Sequence, residues 1–588
     1  MKKVIIGHRG VGKTAFLKRH EIYCKQLGID AVHLDLDEQI ELSENKSIKD
    51  IFKNEGQDYF RELEVTVFKK LTSEHPSYVI SLGAGFNLKR ISNENEVLVL
   101  SRVTDKSGRS FLNRPRLNPD ESPLDEYKQR YLERNEKYLD KATQLYSMPE
   151  GIEAENETEK KIVTGQFFID DAFYTLTEKE ILNLNYLKAR YKVIELRTDL
   201  ISLEKIDGIV KSDLEKEWLI SVRRDEKIPE YANARYDFDI ELPQKPTFFS
   251  KHKRNIISCH ADQIDQAMSL VQDIKDHHVK LSPAVESFED LIKGYNWQQD
   301  DPRNRSFLPR SKNGKWMWYR QMAKYLQEIN FVRNFTFLKD QPSKYQWLSL
   351  PLERPNRFAA VLGKPVLFSR SPEAHKSFFA DKSTYFTAIE IDEEELKQNY
   401  KWLHALGLTY AAVTSPLKKV AYSISTQRDE NSEKFESVNT LFFTGSKIVG
   451  YNTDVYGFQN LMKEVVLRQN ETVAVWGGGG TLHMMQSVLP EAFYISSQTG
   501  LQRDGTDATS LKPSVLIWAA PRHANTQWPP LSWKPSLVVD LNYVENSMGL
   551  EYAQRMNLTY ISGLKMFQIQ ALEQKKFWNK VSETASLL

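Results

Sequence analysis

The sequence predicts an α/β protein of three domains, and three observations lead to this fold class. A short apolar strand runs into a glycine-rich turn and then an amphipathic helix at residues 4–14. In the middle of the chain, short β-rich runs alternate with helical patterns, which favours a parallel sheet or barrel. From residue 473 a buried strand runs into a second glycine-rich turn, which is typical of a dinucleotide-binding lobe. We therefore expect domains over residues 1–152, 162–348 and 355–588.

Length and composition are those of an ordinary globular protein. At 588 residues the chain is too long for one core, and about 150 residues per domain gives three or four domains. The net charge of +1 provides no overall field for nucleic acid or a membrane surface. The two cysteines, Cys24 and Cys259, cannot form a disulfide framework, and no apolar run approaches a membrane span. Only three apolar residues precede the first glycine turn, too few for a signal peptide. We expect a cytoplasmic protein that acts on small molecules, and its oligomeric state stays open.

The first glycine-rich turn matches the phosphate-binding pattern G-x-x-x-x-G-K-[ST]. Its glycines let consecutive backbone N–H groups converge on a triphosphate, and the following helix N-terminus adds a favourable dipole. The lysine of the pattern reaches the β- and γ-phosphates, and the final hydroxyl can ligate Mg²⁺. We therefore expect ATP or GTP to bind at Gly7, Gly10, Gly12, Lys13 and Thr14.

The polar residues behind this turn favour a kinase of a small polyol. Asp35 and Asp37 end the next strand, which suits one carboxylate near Mg²⁺ and one at a substrate hydroxyl. In their order, the residues resemble shikimate kinase over the whole first domain. The resemblance implies Thr14 and Asp35 as Mg²⁺ ligands and Arg114 as a lid residue that closes on the transferring phosphate. It implies that shikimate binds at Asp37, Arg61, Gly83, Gly85 and Arg134.

One departure from that family lies in its three-glycine stretch, where Ala84 stands between Gly83 and Gly85.

Residues 151–161, after the first domain, are acidic, polar and without periodicity, so they predict a linker. Five strands with polar ends are predicted beyond it, over residues 193–199, 218–223, 236–241, 255–260 and 278–282. A (β/α)₈ barrel carries its chemistry at the C-terminal ends of such strands.

The order of these polar groups resembles type I 3-dehydroquinate dehydratase. The stretches that carry the resemblance are Glu-x-Arg-x-Asp, then an arginine, Asp-x-Glu, Ser-x-His and Val-Lys-Leu-Ser-Pro. By that resemblance, Lys280 forms a Schiff base with the substrate ketone and His260 moves the proton during loss of water. It implies further substrate contacts from Glu195, Arg197 and Arg223, with Arg320 as a carboxylate partner.

Three departures leave the activity of the middle domain open. Only thirteen residues separate Arg223 from Asp237, which is short for a barrel unit with its helix and two loops. Lys227 stands where the family has a glutamate, and the family's late Ala-Pro-Gly-Gln loop corresponds at best to residues 343–346. The alternative is a shortened (β/α)₈-like barrel that keeps its architecture without turnover.

An ordered set of motifs follows residue 355, and it resembles shikimate dehydrogenase along the whole last domain. The motifs are Ser-Arg-Ser at 369–371, Val-Thr-Ser-Pro-Leu-Lys at 413–418, Val-Asn-Thr at 438–440 and Gly-Tyr-Asn-Thr-Asp at 450–454. The resemblance implies a two-lobed fold with a Rossmann-like nucleotide lobe and the catalytic pair Lys418 and Asp454. It implies substrate contacts from Ser369, Ser371, Thr414, Asn439, Asp454, Tyr543 and Gln570.

The same resemblance implies NADP(H) as the cofactor, held at Gly477, Gly479, Gly480 and Thr499. The family's Asn-Arg-Thr signature is replaced, because Gln498 stands where an arginine faces the 2′-phosphate. No acidic residue takes its place, as an NAD enzyme would normally require, and Arg503 is close enough in sequence to compensate. Ala412 also replaces the asparagine that opens the family's Asn-Val-Thr motif. The preference between NADP and NAD therefore stays open.

Taken together, the three domains resemble the C-terminal three domains of the pentafunctional AROM polypeptide. The resemblance implies a multifunctional shikimate-pathway enzyme that dehydrates 3-dehydroquinate, reduces 3-dehydroshikimate with NADPH and phosphorylates shikimate with ATP. Two alternatives remain: a regulatory sensor related to the quinate repressor, and a bifunctional kinase and dehydrogenase with an inactive middle domain.

Overall fold

The computed structural model describes residues 1–107, 123–243, 249, 254–333, 339–380, 382–465, 471–520, 527–543 and 547–586. The predicted α/β class is confirmed, with four mainly parallel sheets. Each sheet lies within one of the three predicted ranges, and the domain boundaries themselves stay a prediction. Arg114, predicted as the lid residue, lies outside the described residues.

The first part of the chain is a five-stranded parallel sheet with helices packed on both faces. Its strands are β1 (Lys2–Gly7), β2 (Val32–Asp35), β3 (Tyr78–Ser81), β4 (Glu96–Arg102) and β5 (Gln144–Met148). Its helices are α1 (Lys13–Gln26), α2 (Leu36–Glu44), α3 (Ile48–Asn54), α4 (Gly56–Glu74) and α5 (Pro123–Lys141). The strand order β2-β3-β1-β4-β5 puts β1 at the centre, and the glycine turn after it opens at the carboxyl edge of the sheet.

The segment predicted as a linker is partly helical and docks onto α1. Helix α6 (Glu157–Val163) begins within it, capped by the Asn156 side chain. Glu159 on α6 is fully buried and accepts from Arg19 Nε at 2.6 Å, Arg19 Nη2 at 3.0 Å and the Tyr23 hydroxyl at 2.9 Å. A buried carboxylate needs such partners, because burial without them costs several kcal/mol. The Arg19–Glu159 ion pair therefore anchors the 151–161 segment to the first part of the chain.

The middle part is an eight-stranded parallel sheet that curls like a barrel. Its strands are β6 (Phe173–Leu176), β7 (Val193–Arg197), β8 (Glu217–Val222), β9 (Ala234–Asp239), β10 (Ile256–Cys259), β11 (His278–Leu281), β12 (Arg305–Phe307) and β13 (Phe331–Val332). Its helices are α7 (Leu184–Lys188), α8 (Leu203–Ser212), α9 (Ile264–Val271), α10 (Phe288–Asp300), α11 (Met317–Met322) and α12 (Lys344–Leu348). The strands pair in the order β12-β11-β10-β9-β8-β7-β6-β13.

The two edges of this sheet approach each other without a recorded backbone ladder between the described strands. The Ile329 amide donates to Ser306 Oγ at 3.2 Å, and the Phe307 amide donates to Gln327 Oε1 at 2.8 Å. Side chains thus satisfy backbone groups at the seam that a closed barrel would pair directly. The predicted short connection is also seen, because residues 223–233 join β8 to β9 without a helix.

The last part of the chain has two lobes with one sheet each. The first lobe contains β14 (Phe358–Gly363), β15 (Phe386–Glu390), β16 (Leu408–Val413), β17 (Gln427–Arg428), β18 (Thr440–Thr444) and β19 (Lys447–Tyr451). Its helices are α13 (Ser371–Ala380), α14 (Glu393–Ala405), α15 (Lys418–Ile424) and α16 (Glu430–Phe435), and α17 (Asp454–Glu464) leads out of it. The strand order is β15-β14-β16-β18-β19-β17, with antiparallel pairing around β18.

The second lobe is a five-stranded parallel sheet in the order β21-β20-β22-β23-β24. Its strands are β20 (Val473–Gly477), β21 (Phe493–Ile495), β22 (Val515–Ala519), β23 (Leu537–Asp540) and β24 (Thr559–Ile561). Its helices are α18 (Leu482–Val488) and α19 (Met548–Met556), and the chain returns in α20 (Leu564–Ser586). Met566 on α20 packs in the second lobe, whereas Trp578 packs in the first, so this helix holds the lobes together.

A polar junction, defined by Asn156, Tyr345, Glu373 and Lys376, joins all three parts of the chain. Asn156 Nδ2 donates to the Tyr345 hydroxyl at 2.9 Å and to Glu373 Oε1 at 2.6 Å, and the Tyr345 hydroxyl donates to Glu373 at 2.8 Å. Lys376 Nζ donates at 2.9 to 3.0 Å to the hydroxyl oxygens of Tyr345, Thr158 and Ser349. A cavity of about 340 Å³ lies beside this junction and is lined from all three parts.

No helix among the described residues is long and apolar enough to cross a membrane.

The Arg19–Glu159 pair provides a stability prediction. Arg19→Met should lower the opening free energy of α1 and α6 by about 3 to 5 kcal/mol, because Glu159 is left buried without its cation. Native-state hydrogen exchange of the α1 and α6 peptides measures this locally. The control is Lys25→Ala, which removes an exposed pair with Glu21 and should change the value by less than about 0.5 kcal/mol. Equal effects of the two substitutions would contradict the prediction.

Candidate active sites

The phosphate-type turn and the first carboxylate strand meet at the carboxyl edge of the first sheet. Gly7, Gly10 and Gly12 all have positive φ angles of 75° to 155°, which a residue with a side chain rarely adopts. Lys13 Nζ donates to the carbonyl oxygens of Gly7 at 3.1 Å and His8 at 3.3 Å, so the ammonium lies over the turn. Thr14 Oγ1 donates to Asp35 Oδ2 at 2.8 Å. The residues predicted to bind the phosphates and those predicted to ligate Mg²⁺ are therefore neighbours.

A cavity of about 560 Å³ lies beside Thr14 and Asp35. The residues predicted to bind the acceptor substrate all line it: Asp37, Arg61, Gly83, Gly85 and Arg134. Gly85 is required by space, since a Cβ there would lie 2.4 Å from Arg61 Nη2. The charged residues predicted to bind the acceptor, Asp37, Arg61 and Arg134, thus lie together at a single concave surface.

The sequence analysis missed Glu64 as a member of this site. Its side chain is buried, its Oε2 accepts from Arg61 Nη1, and it lines the same cavity. Burial raises the pKa of Glu64 to about 7, against the lowering effect of the Arg61 guanidinium. The spacing Arg61 to Glu64 on α4 is an i, i+3 pair, which was the available signal. Glu64 positions the guanidinium that faces the cavity.

Ala84, the residue that departs from the three-glycine stretch, contributes through its backbone. Its carbonyl oxygen accepts from Arg134 Nη1 at 2.9 Å and also from the Tyr138 hydroxyl. These two bonds hold helix α5 against the loop after β3. The methyl group of Ala84 therefore does not prevent the loop from taking part in the site.

The middle site is built around a fully buried carboxylate, Asp237. Asp237 Oδ2 accepts from Arg223 Nη2 at 2.6 Å and from Lys280 Nζ. The two cations hold the pKa of Asp237 well below its usual range, against the opposing effect of burial. Burial lowers the pKa of Lys280, although the carboxylate of Asp237 works in the opposite direction. The amine is thus held in the dry interior of the curled sheet.

Glu195 and His260 lie in the same polar network. Glu195 accepts from the hydroxyls of Ser221 and Thr175 at 2.5 Å each, and the Ser221 hydroxyl also lies 3.4 Å from Asp237 Oδ2. His260 Nδ1 lies 2.6 Å from Asp239 Oδ2. Burial lowers the pKa of His260 to about 4, so its ring is neutral near pH 7 and can accept a proton.

The remaining predicted dehydroquinate contacts are placed less directly. Arg197 pairs with Asp199 through two hydrogen bonds of 3.0 and 2.7 Å. Arg320 is buried and donates to the carbonyl oxygens of Leu308 and Pro309, so no described contact joins it to Lys280. Its guanidinium supports the loop after β12 instead, and its role as a carboxylate partner stays a prediction.

Arg310 is nearer to the middle site, and the sequence analysis missed it. Its guanidinium donates to the backbone carbonyl of His260 at 2.7 Å and to that of Ser282 at 2.6 Å. Both acceptors follow barrel strands that end at the site. No motif in the sequence marks Arg310, because its partners are backbone atoms far away in the chain.

In the last part of the chain, the predicted substrate residues line a cavity of about 180 Å³ between the two lobes. Those that line it are Ser371, Thr414, Lys418, Asn439, Asp454, Tyr543 and Gln570. Lys418 Nζ lies 2.6 Å from Asp454 Oδ2. The predicted catalytic pair is therefore formed, with the lysine partly exposed toward the cavity and the carboxylate buried.

Two amides hold Asp454 from its other oxygen. Asn439 Nδ2 donates to Asp454 Oδ1 at 2.8 Å, and Gln570 Nε2 donates to the same atom. Gln574, which the sequence analysis missed, lines the cavity and donates to the Asn439 carbonyl at 3.3 Å. Ser369 Oγ donates to Ser371 Oγ at 3.2 Å but itself lines the 340 Å³ junction cavity rather than this one.

The second glycine turn has a backbone conformation that allows a ligand to approach the main chain closely. Gly477, Gly478 and Gly479 have φ angles of 100°, 115° and 42°, and a Cβ on Gly477 would lie 2.7 Å from the Ala520 amide nitrogen. Gly480 follows in the short turn of helix 479–481. Arg503 Nη2 donates to the Gly477 carbonyl oxygen at 3.2 Å. The arginine that could compensate for Gln498 therefore reaches the turn.

The loop with Gln498 and Thr499 is exposed, and side-chain to backbone hydrogen bonds hold it in place. Gln527 Nε2 donates to the Gln498 carbonyl at 2.8 Å, and the Leu501 amide donates to Thr499 Oγ1 at 3.3 Å. The side chain of Gln498 is thus on the surface beside the turn. Because the Gln498 amide is neutral, the positive charge in this region is that of Arg503.

Two family models match ranges in the outer parts of the chain. The family model described as "Shikimate kinase" matches residues 9–163. The family model described as "Shikimate dehydrogenase substrate binding domain" matches residues 361–441. The chain therefore contains a shikimate kinase domain and a shikimate dehydrogenase domain. The middle part lies between these two matched ranges.

Curated relatives match the last part of the chain. The NADP(+) shikimate dehydrogenase of Bartonella henselae is 33% identical over 125 residues, which cover 21% of this chain and 43% of that protein. The corresponding enzyme of Maridesulfovibrio salexigens is 24% identical over 254 residues, covering 39% of this chain and 93% of that protein. The chain thus spans less than half the length of the first relative and nearly all of the second.

One solved structure extends over more of the chain. It is titled "Dehydroquinate dehydratase and shikimate dehydrogenase from S. pombe AroM", and it covers 71% of this chain and 97% of its own. The identity is 15% and the TM-score is 0.29.

Proposed function

We propose that the chain is a trifunctional shikimate-pathway enzyme that dehydrates 3-dehydroquinate, reduces 3-dehydroshikimate with NADPH and phosphorylates shikimate with ATP. One observation carries this proposal. In each outer domain, side chains that are distant in sequence converge on a single cavity with the residue types that these reactions need. The matched relatives reported above are enzymes, so they give no support to the alternative of a regulatory sensor.

In the kinase domain, the chain supplies positioning and charge. The glycine turn with Lys13 fits the ATP phosphates, and Thr14 with Asp35 offers two oxygen ligands suited to Mg²⁺, which would neutralise phosphate charge. Arg61, held by Glu64, and Arg134, held by Ala84, orient the substrate carboxylate in the cavity. Asp37 accepts the hydroxyl proton of the attacking group. Phosphoryl transfer needs little more from a protein than this arrangement.

In the dehydrogenase domain, NADPH supplies the hydride when it is bound. Gly477 to Gly480 allow its pyrophosphate to approach the backbone, and Arg503 carries the charge for a 2′-phosphate. Lys418 faces the substrate oxygen and stabilises or protonates the developing alkoxide. Asp454, fixed by Asn439 and Gln570, orients Lys418 and accepts a substrate hydroxyl.

In the middle domain, the supporting observation is the buried Lys280. An amine that forms a Schiff base must lose its proton, and both burial and the nearby Arg223 lower its pKa. His260 is neutral near pH 7, so it can take the proton that leaves the substrate. The competing proposal, a bifunctional enzyme with a silent barrel, is favoured by the closed pairing of Lys280 with Asp237.

A single coupled assay tests the outer activities together. Purified chain, 3-dehydroshikimate, NADPH and ATP with Mg²⁺ should give NADPH oxidation first and shikimate-dependent ADP formation second. Omitting NADPH should abolish ADP formation, and added shikimate should restore it. Ligand binding without either turnover would favour a sensor instead.

The first prediction concerns the kinase. Lys13→Ala should lower kcat for shikimate phosphorylation by about a hundredfold or more, because it removes a charge that stabilises the transferring phosphoryl group. ADP formation with added shikimate is the measurement. Lys18→Ala on the exposed side of the same helix is the matched control and should leave kcat unchanged. Loss of activity in both variants would point to a general effect on the helix.

The second prediction concerns the cofactor. Arg503→Ala should raise KM for NADPH by about ten- to a hundredfold, which corresponds to one charge-assisted contact, and change KM for NADH little. Adding Gln498→Arg to that variant should recover NADPH affinity, since the new guanidinium lies in the same exposed loop. Lys534→Ala, another exposed cation in this lobe, serves as the control. A normal KM for NADPH in Arg503→Ala would rule out this arginine as the phosphate partner.

The third prediction separates the trifunctional enzyme from the bifunctional one. Incubation with 3-dehydroquinate and borohydride should trap a covalent adduct on Lys280, identified by peptide mass, and Lys280→Ala should abolish it. Lys344→Ala is the matched control, because Lys344 is also buried and burial lowers its pKa to about 8. If wild-type protein gives neither adduct nor dehydration while the outer activities persist, the barrel is a scaffold.

A further inference from the structure

A cluster of three metal-ligating side chains lies in the first domain, outside the kinase site. His20 and Cys24 are one turn apart on α1, and His33 lies on β2 beside them. His20 Nδ1 lies 2.9 Å from His33 Nε2 and 3.5 Å from Cys24 Sγ. All three potential donor atoms lie within 4.8 Å of one another. The first turn of α1 contributes to the nucleotide site. This cluster lies beyond that turn and has no part in the proposed reactions.

The hydrogen-bond partners of the two rings fix where each ring carries its proton. His33 Nδ1 lies 3.0 Å from the Ala31 carbonyl oxygen, which can only accept, so this nitrogen carries the proton and Nε2 carries the lone pair. A metal-bound histidine normally makes this kind of hydrogen bond through its other nitrogen. His20 Nδ1 lies 2.9 Å from the unprotonated His33 Nε2, so it carries the proton and donates to that atom. His20 Nε2 is buried with no partner among the described residues and carries the lone pair of that ring. An ion held between the two rings must therefore displace the shared proton or bind after His20 has changed its tautomer.

We propose that His20, Cys24 and His33 form a binding site for a transition-metal ion, with Zn²⁺ as the favoured class. Two imidazoles and one thiol suit a borderline ion, whereas Mg²⁺ and Ca²⁺ prefer oxygen ligands. In a tetrahedral zinc site with bonds of about 2.0 to 2.3 Å, donor atoms are about 3.3 to 3.8 Å apart, so small ring movements open the space required. Because His33 is only half-buried, water can reach the fourth position.

The charges around the cluster are compatible with a bound cation. Lys3 is a buried cation whose charge acts on the cluster, and its ammonium is paired with Glu96 at 3.2 Å and donates to the Val163 carbonyl at 3.1 Å. Its positive charge also lowers the pKa of the Cys24 thiol, although burial raises that pKa more. Binding of the ion must therefore displace the thiol proton, and affinity should increase with pH.

The ion would tie together two elements that carry the kinase residues. Helix α1 begins at Lys13 and Thr14, about 10 Å before His20 at 1.5 Å per residue. Strand β2 ends at Asp35, two residues after His33. A metal bridge would thus fix the helix to the strand behind the phosphate turn. Its expected effect is on stability rather than on the chemistry of phosphoryl transfer.

Zinc binding to the untagged full chain tests the proposal. After equilibrium dialysis against Zn²⁺ and removal of loosely bound ion, elemental analysis should find one Zn²⁺ per wild-type chain. The chain has two cysteines, which gives a matched pair: Cys24→Ser should lose the ion, and Cys259→Ser should keep it. His33→Ala should also lose it, whereas His75→Ala at the end of α4 should not. Equal zinc content in Cys24→Ser and wild type, or none in wild type, would overturn the proposal.

A second measurement covers the case in which Cys24→Ser does not fold. Co²⁺ added to wild-type chain should produce a thiolate-to-metal absorption band that Zn²⁺ abolishes by displacement. Bound Zn²⁺ should also protect Cys24, identified by peptide mass, from alkylation as the chain is partly unfolded in urea, with Cys259 as the internal reference. Absence of the band together with equal alkylation of Cys24 with and without Zn²⁺ would contradict the site in the unaltered protein.

Discussion

Parallel pairing of strands is the constraint on which the rest of this molecule depends. Parallel strands end at one common edge, and the backbone groups and polar side chains that leave each strand collect there. The first sheet brings Gly7, Asp35 and Ser81 to such an edge, and the last brings Gly477 and Ala519 together in the same way. Because this edge is concave and rich in unpaired backbone groups, a site forms there whatever its chemistry. The three candidate sites differ mainly in which charges are placed on it.

Buried charge is the second organising feature, and it links stability to function. Asp237 has no exposed surface and pairs with both Arg223 and Lys280. With Glu195, this group within the curled sheet thus contains two cations and two anions. Removal of one member of such a group leaves another uncompensated, which is more costly than loss of the whole group. Loss of one partner alone would therefore destabilise the middle domain, independently of any reaction at Lys280. Asp454 is different, because three donors satisfy it at the edge of an open cavity.

Local sequence patterns predicted the strands that end in polar or glycine-rich motifs and the residues that lie within those motifs. Gly7 to Thr14 and Lys418 could be found because their chemistry depends on neighbours in the chain. Glu64 could not be assigned in this way, since its raised pKa arises from burial by distant elements. The contact of Arg503 with Gly477 and the docking of Glu159 on Arg19 join residues 26 and 140 positions apart, which periodicity does not reveal. The seam between β12 and β13 was unpredictable for the same reason, because side chains of Ser306 and Gln327 replace a backbone ladder.

Helix α13 belongs at once to a substrate cavity and to the junction of the three parts. Ser371 at its first turn faces the dehydrogenase cavity, whereas Glu373 and Lys376 are hydrogen-bonded to Tyr345, Asn156 and Thr158. Gene fission at either predicted boundary would leave several of these buried or half-buried polar groups without partners and expose an apolar wall to water. A descendant with separate enzymes would first have to replace them by surface residues. The fusion of the domains in this chain is therefore difficult to reverse. Separation would expose surface that is now covered, in addition to breaking the peptide bonds between the domains.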